Sequence, residues 1–136
     1  MKKALRVGVI RGALAALLVP VAGASAQVRG PAAIVLRPGL VITRSARVAP
    51  RTYRLPASVS ADSAVIVVRG DGITVDFSGA AMEGTDPQAD PDAAVGVAIR
   101  IDGGRNIRIL HARIRGYKIG ILARDTRGLE LVDNDL

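Results

Sequence analysis

The chain has no cysteine and no tryptophan, and its aromatic residues are limited to Tyr53, Phe77 and Tyr117. It has a single histidine, His111. Without cysteine there are no disulfides, no thiol nucleophile and no lipid-modified cysteine at a processed N-terminus. With so few rings the core must be aliphatic, and little is available to stack on bases or sugars. The uninterrupted apolar run near the N-terminus falls well short of the about 20 residues that span a bilayer.

What is present at the N-terminus is a leader pattern. Lys2, Lys3, Arg6 and Arg11 precede an apolar run over 12–22, followed by Ala24-Ser25-Ala26. A basic segment, a short apolar segment and an A-x-A site predict a secretory signal peptide over 1–26, cut before Gln27. The expected location is the periplasm or the exterior, with no membrane span once the signal is removed. Four of the 19 basic residues lie in this segment, leaving 15 against 12 acids, a net +3. So mild a charge on an exported chain argues against a nucleic-acid partner.

From Gly96 onward the chain repeats itself. Displaced by 22 residues, Val97 meets Ile119, Ile99 meets Ile121 and Ile101 meets Ala123. Ile107 then meets Leu129, Ile109 meets Leu131 and Ile114 meets Leu136. A repeat of this length built from short alternating strands marks a solenoid. The same offset extends backwards to place Tyr53 on Val75, Leu55 on Phe77 and Arg54 on Asp76. The stretch over 80–95 holds Gly84, Pro87 and Pro91 with Glu83, Asp86, Asp90 and Asp92, and reads as an inserted, exposed loop. Allowing for that insertion, an offset of 34 sets Val65 on Ile99, Val67 on Ile101, Ile73 on Ile107 and Val75 on Ile109.

Three coils in register are therefore expected over 51–80, 96–114 and 118–136. Residues 27–50, broken by Pro31, Pro38, Gly39 and Pro50, read as a lead-in that caps the first edge, with a short strand over 40–42. Short strands ended by Gly, Asp or Asn at a constant advance suit a parallel coil, each turn about 4.8 Å above the last. Outward charges offer an independent check, because like charges directly opposite destabilise. The register sets Arg54 over Asp76, Asp71 over Arg105, Asp102 over Arg124, Arg108 over Glu130 and Arg113 over Asp135. Arg105 over Arg127 is the exception.

The runs DGITVDFSGA, GVAIRIDGGRNIRIL and HARIRGYKIGILARDTRGLELVDNDL resemble right-handed parallel β-helix repeat proteins of the pectate-lyase-like superfamily. The resemblance covers roughly 51–136. It implies an all-β, right-handed parallel β-helix. It also implies the superfamily's range of roles: polysaccharide lyases, glycoside hydrolases, esterases and epimerases on acidic glycans, glycan binders, and periplasmic copper-site maturation. Leu136 falls at an inward position in mid-strand, so the sequence reads as the N-terminal part of a longer coil, truncated at its C-terminus. Alone, such a piece is expected to be inactive and prone to associate through its open C-terminal edge.

Candidate chemistry is sparse. The register puts His111 between Phe77 and Asp133, and a His–Asp pair could serve acid/base catalysis. The plainer reading is a polar corner. Asp133 and Asp135 flank Asn134 and share a face if the strand continues, as paired carboxylates of a glycosidase would. Turns also favour Asp and Asn for backbone reasons. Polygalacturonase-like enzymes carry a wider motif set, echoed here only by Arg113-Ile114-Arg115, so their roles are not transferred. Arg100, Arg115 and Lys118 are outward cations without an opposite charge in the register. They could form a stripe for uronate carboxylates or be solvated surface. Glu83, Asp86, Asp90 and Asp92 could hold Ca2+, as calcium-assisted lyases require, but fit no known loop spacing. No cofactor is otherwise evident and no metal ligands are assigned. The expected function is binding or cleaving a complex or acidic polysaccharide. The alternatives are a non-catalytic surface-binding solenoid and a copper-maturation β-helix.

Overall fold

The computed structural model describes residues 32–60, 62–85, 88 and 90–136. The signal segment over 1–26 lies outside the described residues, as does Asp86. Short strands dominate: β1 Ala33–Ile34, β2 Leu40–Ile42, β3 Ala46–Val48, β4 Thr52–Arg54, β5 Ala64–Val68 and β6 Thr74–Asp76. They continue as β7 Ala81–Glu83, β8 Val97–Asp102, β9 Arg108–Leu110, β10 Arg113–Arg115, β11 Ile119–Arg124 and β12 Glu130–Val132. Each pairs in parallel; β1 pairs with β3, and from β2 onward each strand finds its neighbour three strands along the chain. Parallel neighbours need a long crossover. Here the crossover is the other two sides of the coil.

The result is a three-sided parallel β-helix. One wall is β2-β5-β8-β11, the second is β3-β6-β9-β12 with β1 outside β3, and the third is β4-β7-β10. Three complete turns are followed by β11, β12 and a bridge from Asp135 to Arg113. Two sides of the first complete turn, β2 and β3, lie in the stretch read as a lead-in. Among the described residues no helix is long and apolar enough to cross a membrane.

Aliphatic columns fill the interior. Leu40, Ile66, Ile99 and Ile121 align on the first wall, Ala46, Val75, Ile109 and Leu131 on the second, and Tyr53, Met82 and Ile114 on the third. Ile66, Ile99, Val75 and Ile109 are wholly buried, and Phe77 is the largest fully buried side chain. Leu131, on the last turn, is 46% exposed.

The 22-residue register holds between the last two turns, where Ile119 faces Val97, Ile121 faces Ile99, Ala123 faces Ile101 and Leu131 faces Ile109. The longer offset holds on the second wall, where Val75 faces Ile109. It fails on the first. Ile66, not Val65, faces Ile99, and Val68, not Val67, faces Ile101. Between aligned positions the later turn is one residue longer, running from Ile101 to Arg108 where the earlier one runs from Val68 to Thr74. A slip of one residue exchanges the two faces of a strand, so Val67 shares the face of Arg100.

The backward extension to Tyr53 also fails. β4 pairs with β7, setting Tyr53 on Met82 and Arg54 on Glu83. The place opposite Val75 and Asp76 is taken by Ala46 and Arg47. Asp76 accepts instead from the Ser78 amide and hydroxyl. Burial works to raise its pKa, but these two hydrogen bonds, together with nearby His111 and Arg47, hold the carboxyl below its ordinary range. The error has one origin. Ala81–Glu83, read as the start of a loop, is the third side of its turn, with Met82 buried at 1% exposure.

Candidate functional site: a polar groove on the third wall

The third wall alternates as a half-buried strand set should. Tyr53, Met82 and Ile114 point in, which leaves Thr52, Ala81 and Arg113 in one outward column and Arg54, Glu83 and Arg115 in the other. The chain enters this wall through a tight corner. His111 and, one turn later, Asp133 both take the left-handed conformation there, with φ of 56 and 51 degrees. Asp and His tolerate that region better than most residues with a side chain.

Asn134 turns back into the wall. Its Oδ1 accepts from the Ala112 amide at 2.8 Å and its Nδ2 donates to the Ile109 carbonyl at 3.0 Å. The flanking carboxylates stay outside, with side chains 75% exposed at Asp133 and 60% at Asp135. Between them and β7 lies an open groove of about 550 Å³, bordered by Glu83, Arg113, Arg115, Asp133 and Asp135, with Ala81 its one apolar side chain.

The groove carries both signs of charge. Arg115 Nη2 lies 3.0 Å from Asp135 Oδ2, and Arg54 Nε lies 3.5 Å from Glu83 Oε2 at the margin. Arg113 stands backbone to backbone with Asp135 but makes no ion pair among the described residues. His111 Nδ1 is 3.9 Å from Asp133 Oδ2. That exceeds hydrogen-bonding distance, and the pair is ionic only when the imidazole is protonated. Neither aspartate is enclosed, whereas electrostatic catalysis draws its strength from water-excluded sites. The arrangement offers solvent an exposed surface of mixed charge, with guanidinium donors and carboxylate acceptors side by side.

The other candidates lie elsewhere. Arg100 is not a free cation: its side chain is 15% exposed and holds Asp102 at 2.7 Å through Nε and 3.0 Å through Nη2. It also donates to the Asp62 carbonyl. The Arg100 hydrogen bonds, opposed by partial burial and aided by Arg69, hold the Asp102 carboxyl below its ordinary range. Arg115 is likewise paired, and Lys118 sits at the corner before β11. The three occupy two walls and a corner, so the expected stripe does not form. Asp90 accepts from the Asp92 amide at the short 3-10 turn Pro91–Ala93, while Glu83 lies on the third wall beside Arg54. Among the described residues no three His, Cys, Asp or Glu side chains converge as metal ligands.

The charge columns hold in part. Arg108 meets Glu130 at 2.7 Å as the register requires. Asp71 accepts from the Arg105 amide, not from its guanidinium. Asp102 aligns with Arg124 but binds Arg69 and Arg100, and Arg124 reaches Asp62 at 3.5 Å. Arg105 and Arg127 stack as the like-charged exception.

The sequence reading placed Glu83 in a loop, not on the third wall, and paired Arg113 with Asp135. β10 faces β7 at an offset of 32, since Arg113 aligns with Ala81. Seeking a separate offset for each side would have placed Glu83 beside Arg115.

No family model matches the chain, and neither a curated protein nor a solved structure matches it.

Proposed function

We propose that this is an exported β-helix protein of the pectate-lyase-like type that binds an acidic polysaccharide along the third-wall groove. The observation that carries this reading is Arg113, a guanidinium without an ion-pair partner among the described residues, beside Arg115 in an open polar groove. Arginine matches carboxylates in a two-pronged geometry. Asp133, Glu83 and Asp135 then accept from sugar hydroxyls. The leader pattern over 1–26 supports export.

The test is calorimetric titration with an oligomer of galacturonate and with its methyl ester. The acid form binds, the ester binds more weakly, and added salt weakens the acid form as exposed charges require. Arg113→Ala lowers the affinity about 5-fold or more, as loss of a charge-assisted hydrogen bond predicts. Equal binding of acid and ester, or no effect of Arg113→Ala, defeats the reading.

A catalytic reading rests on the adjacency of His111 and Asp133. It predicts unsaturated or reducing-end products that vanish in His111→Ala while binding survives. Binding without such products leaves the non-catalytic form standing.

A further inference from the structure

The corner from the third wall to the first is the irregular one. On the last turn it is only Gly116-Tyr117-Lys118, but on the two earlier complete turns it spans 55–63 and 84–96. These longer segments close on each other. Gly96 has φ of 75 degrees, and a Cβ there would collide with the Ser58 carbonyl oxygen and the Ala57 methyl. Only glycine lets the backbones approach so nearly.

Beside this contact is a pocket of about 220 Å³, on a different face from the groove. Its side chains are Val59, Ala94, Val95, Val97 and Ile119, with Lys118 the only one carrying charge. The Lys118 and Ile119 amides already donate to the Val95 and Gly96 carbonyls, at 3.4 and 3.0 Å. Among the described residues Lys118 has no ion pair. Val59 stands 84% exposed beside this apolar wall.

An aliphatic wall with one cation calls for an aliphatic chain ending in an anion. An apolar cavity of about 150 Å³ takes a benzene-sized molecule, so this pocket accommodates a chain of similar or slightly greater bulk. We propose that it binds a short aliphatic carboxylate, the chain lying among Val59, Val95, Val97 and Ile119 and the carboxylate meeting Lys118. This site is independent of the polysaccharide groove.

The probes are hexanoate, hexanol and hexylammonium, titrated against the 15N-labelled chain. Hexanoate shifts the amides of Val95, Val97, Lys118 and Ile119 saturably. Hexanol binds about 5-fold more weakly, the scale of one exposed ion pair, and hexylammonium binds weakest. Lys118→Met abolishes the preference for hexanoate over hexanol, and Lys118→Arg preserves it. Ala94→Phe fills the pocket and removes binding of all three. Lys118 is exposed, so its variants keep the fold, which an unchanged amide spectrum elsewhere confirms. The proposal is overturned if those amides do not shift, if hexanol binds as tightly as hexanoate, or if Lys118→Met retains the preference. Shifts confined to the Arg113 and Arg115 region would overturn it equally.

Discussion

The Tyr117 hydroxyl donates to the Leu55 carbonyl oxygen at 2.7 Å, tying together residues 62 apart in sequence. The phenol of the short corner at 116–118 thus anchors the start of the loop at 55–63, while its ring packs against the core. Burial raises its pKa above the ordinary phenolic value, and the Glu83 carboxylate adds to the effect.

Tyr117→Phe should cost about 0.5–1.5 kcal/mol, the net worth of one hydrogen bond. The pH dependence has a definite sign. The unfolded phenol ionises near about pH 10, while the folded one stays neutral to higher pH. Its contribution is complete below about pH 10 and is lost progressively as pH rises above it. Urea unfolding from pH 8 to 11.5 should show a decline that is shallower in Tyr117→Phe.

Asp102 joins Arg69 and Arg100 on the first wall, with Arg124 aligned beside it. Asp102→Asn should destabilise by about 1–2 kcal/mol, since Arg69 and Arg100 lose a common counter-charge in a partly exposed setting. A depressed carboxyl stabilises fully above the unfolded value of about 3.9 and loses its effect as pH falls through the folded one. Acid unfolding of the wild type should therefore steepen below about pH 4, and the variant should lose part of that steepness.

Asn134 satisfies the amide of Ala112, a fully buried residue. Asn134→Ala should cost about 1–3 kcal/mol, because a buried donor is left without its acceptor. Asn134→Asp keeps the acceptor and loses the donor to Ile109, so it should cost less. Hydrogen exchange at the Ala112 amide should accelerate in Asn134→Ala more than in Asn134→Asp.

Gly84 donates its amide to the Arg115 carbonyl at 2.8 Å, and a Cβ on it would run into the Gly116 backbone. Backbone cannot yield as a flexible side chain can. Gly84→Ala should therefore cost about 1–3 kcal/mol, as overpacking does, with faster exchange at the residue-84 amide.

The coil was legible where inward residues recur with strong β character. Ile99, Ile109, Ile121 and Leu131 announced the parallel stack, and the same offset set His111 beside Asp133. The third wall was illegible at Ala81-Met82-Glu83, which combines weak strand formers with a single buried side chain. Losing that strand misassigned Tyr53 and hid Glu83. A second limit is geometric. Arg100 looked unpaired because the register compares one turn with the next, whereas its partner Asp102 lies two along the same strand and so on the same face. Which carboxylate a guanidinium selects is a rotamer choice, and Arg115 reaching Asp135 in place of Arg113 is decided there.

The uneven third corner has a bearing on how such a chain can diversify. Strand register is held on all three walls by shared hydrogen bonds, and the corner between the second and third walls stays short, at 49–51, 77–80 and 111–112. Segments of quite different length leave and rejoin the stack between the third and first walls without disturbing a rung. New loops can therefore be acquired at that vertex one turn at a time, stacked above one another along a single seam. A long ligand lying along the seam would meet each acquisition in sequence order.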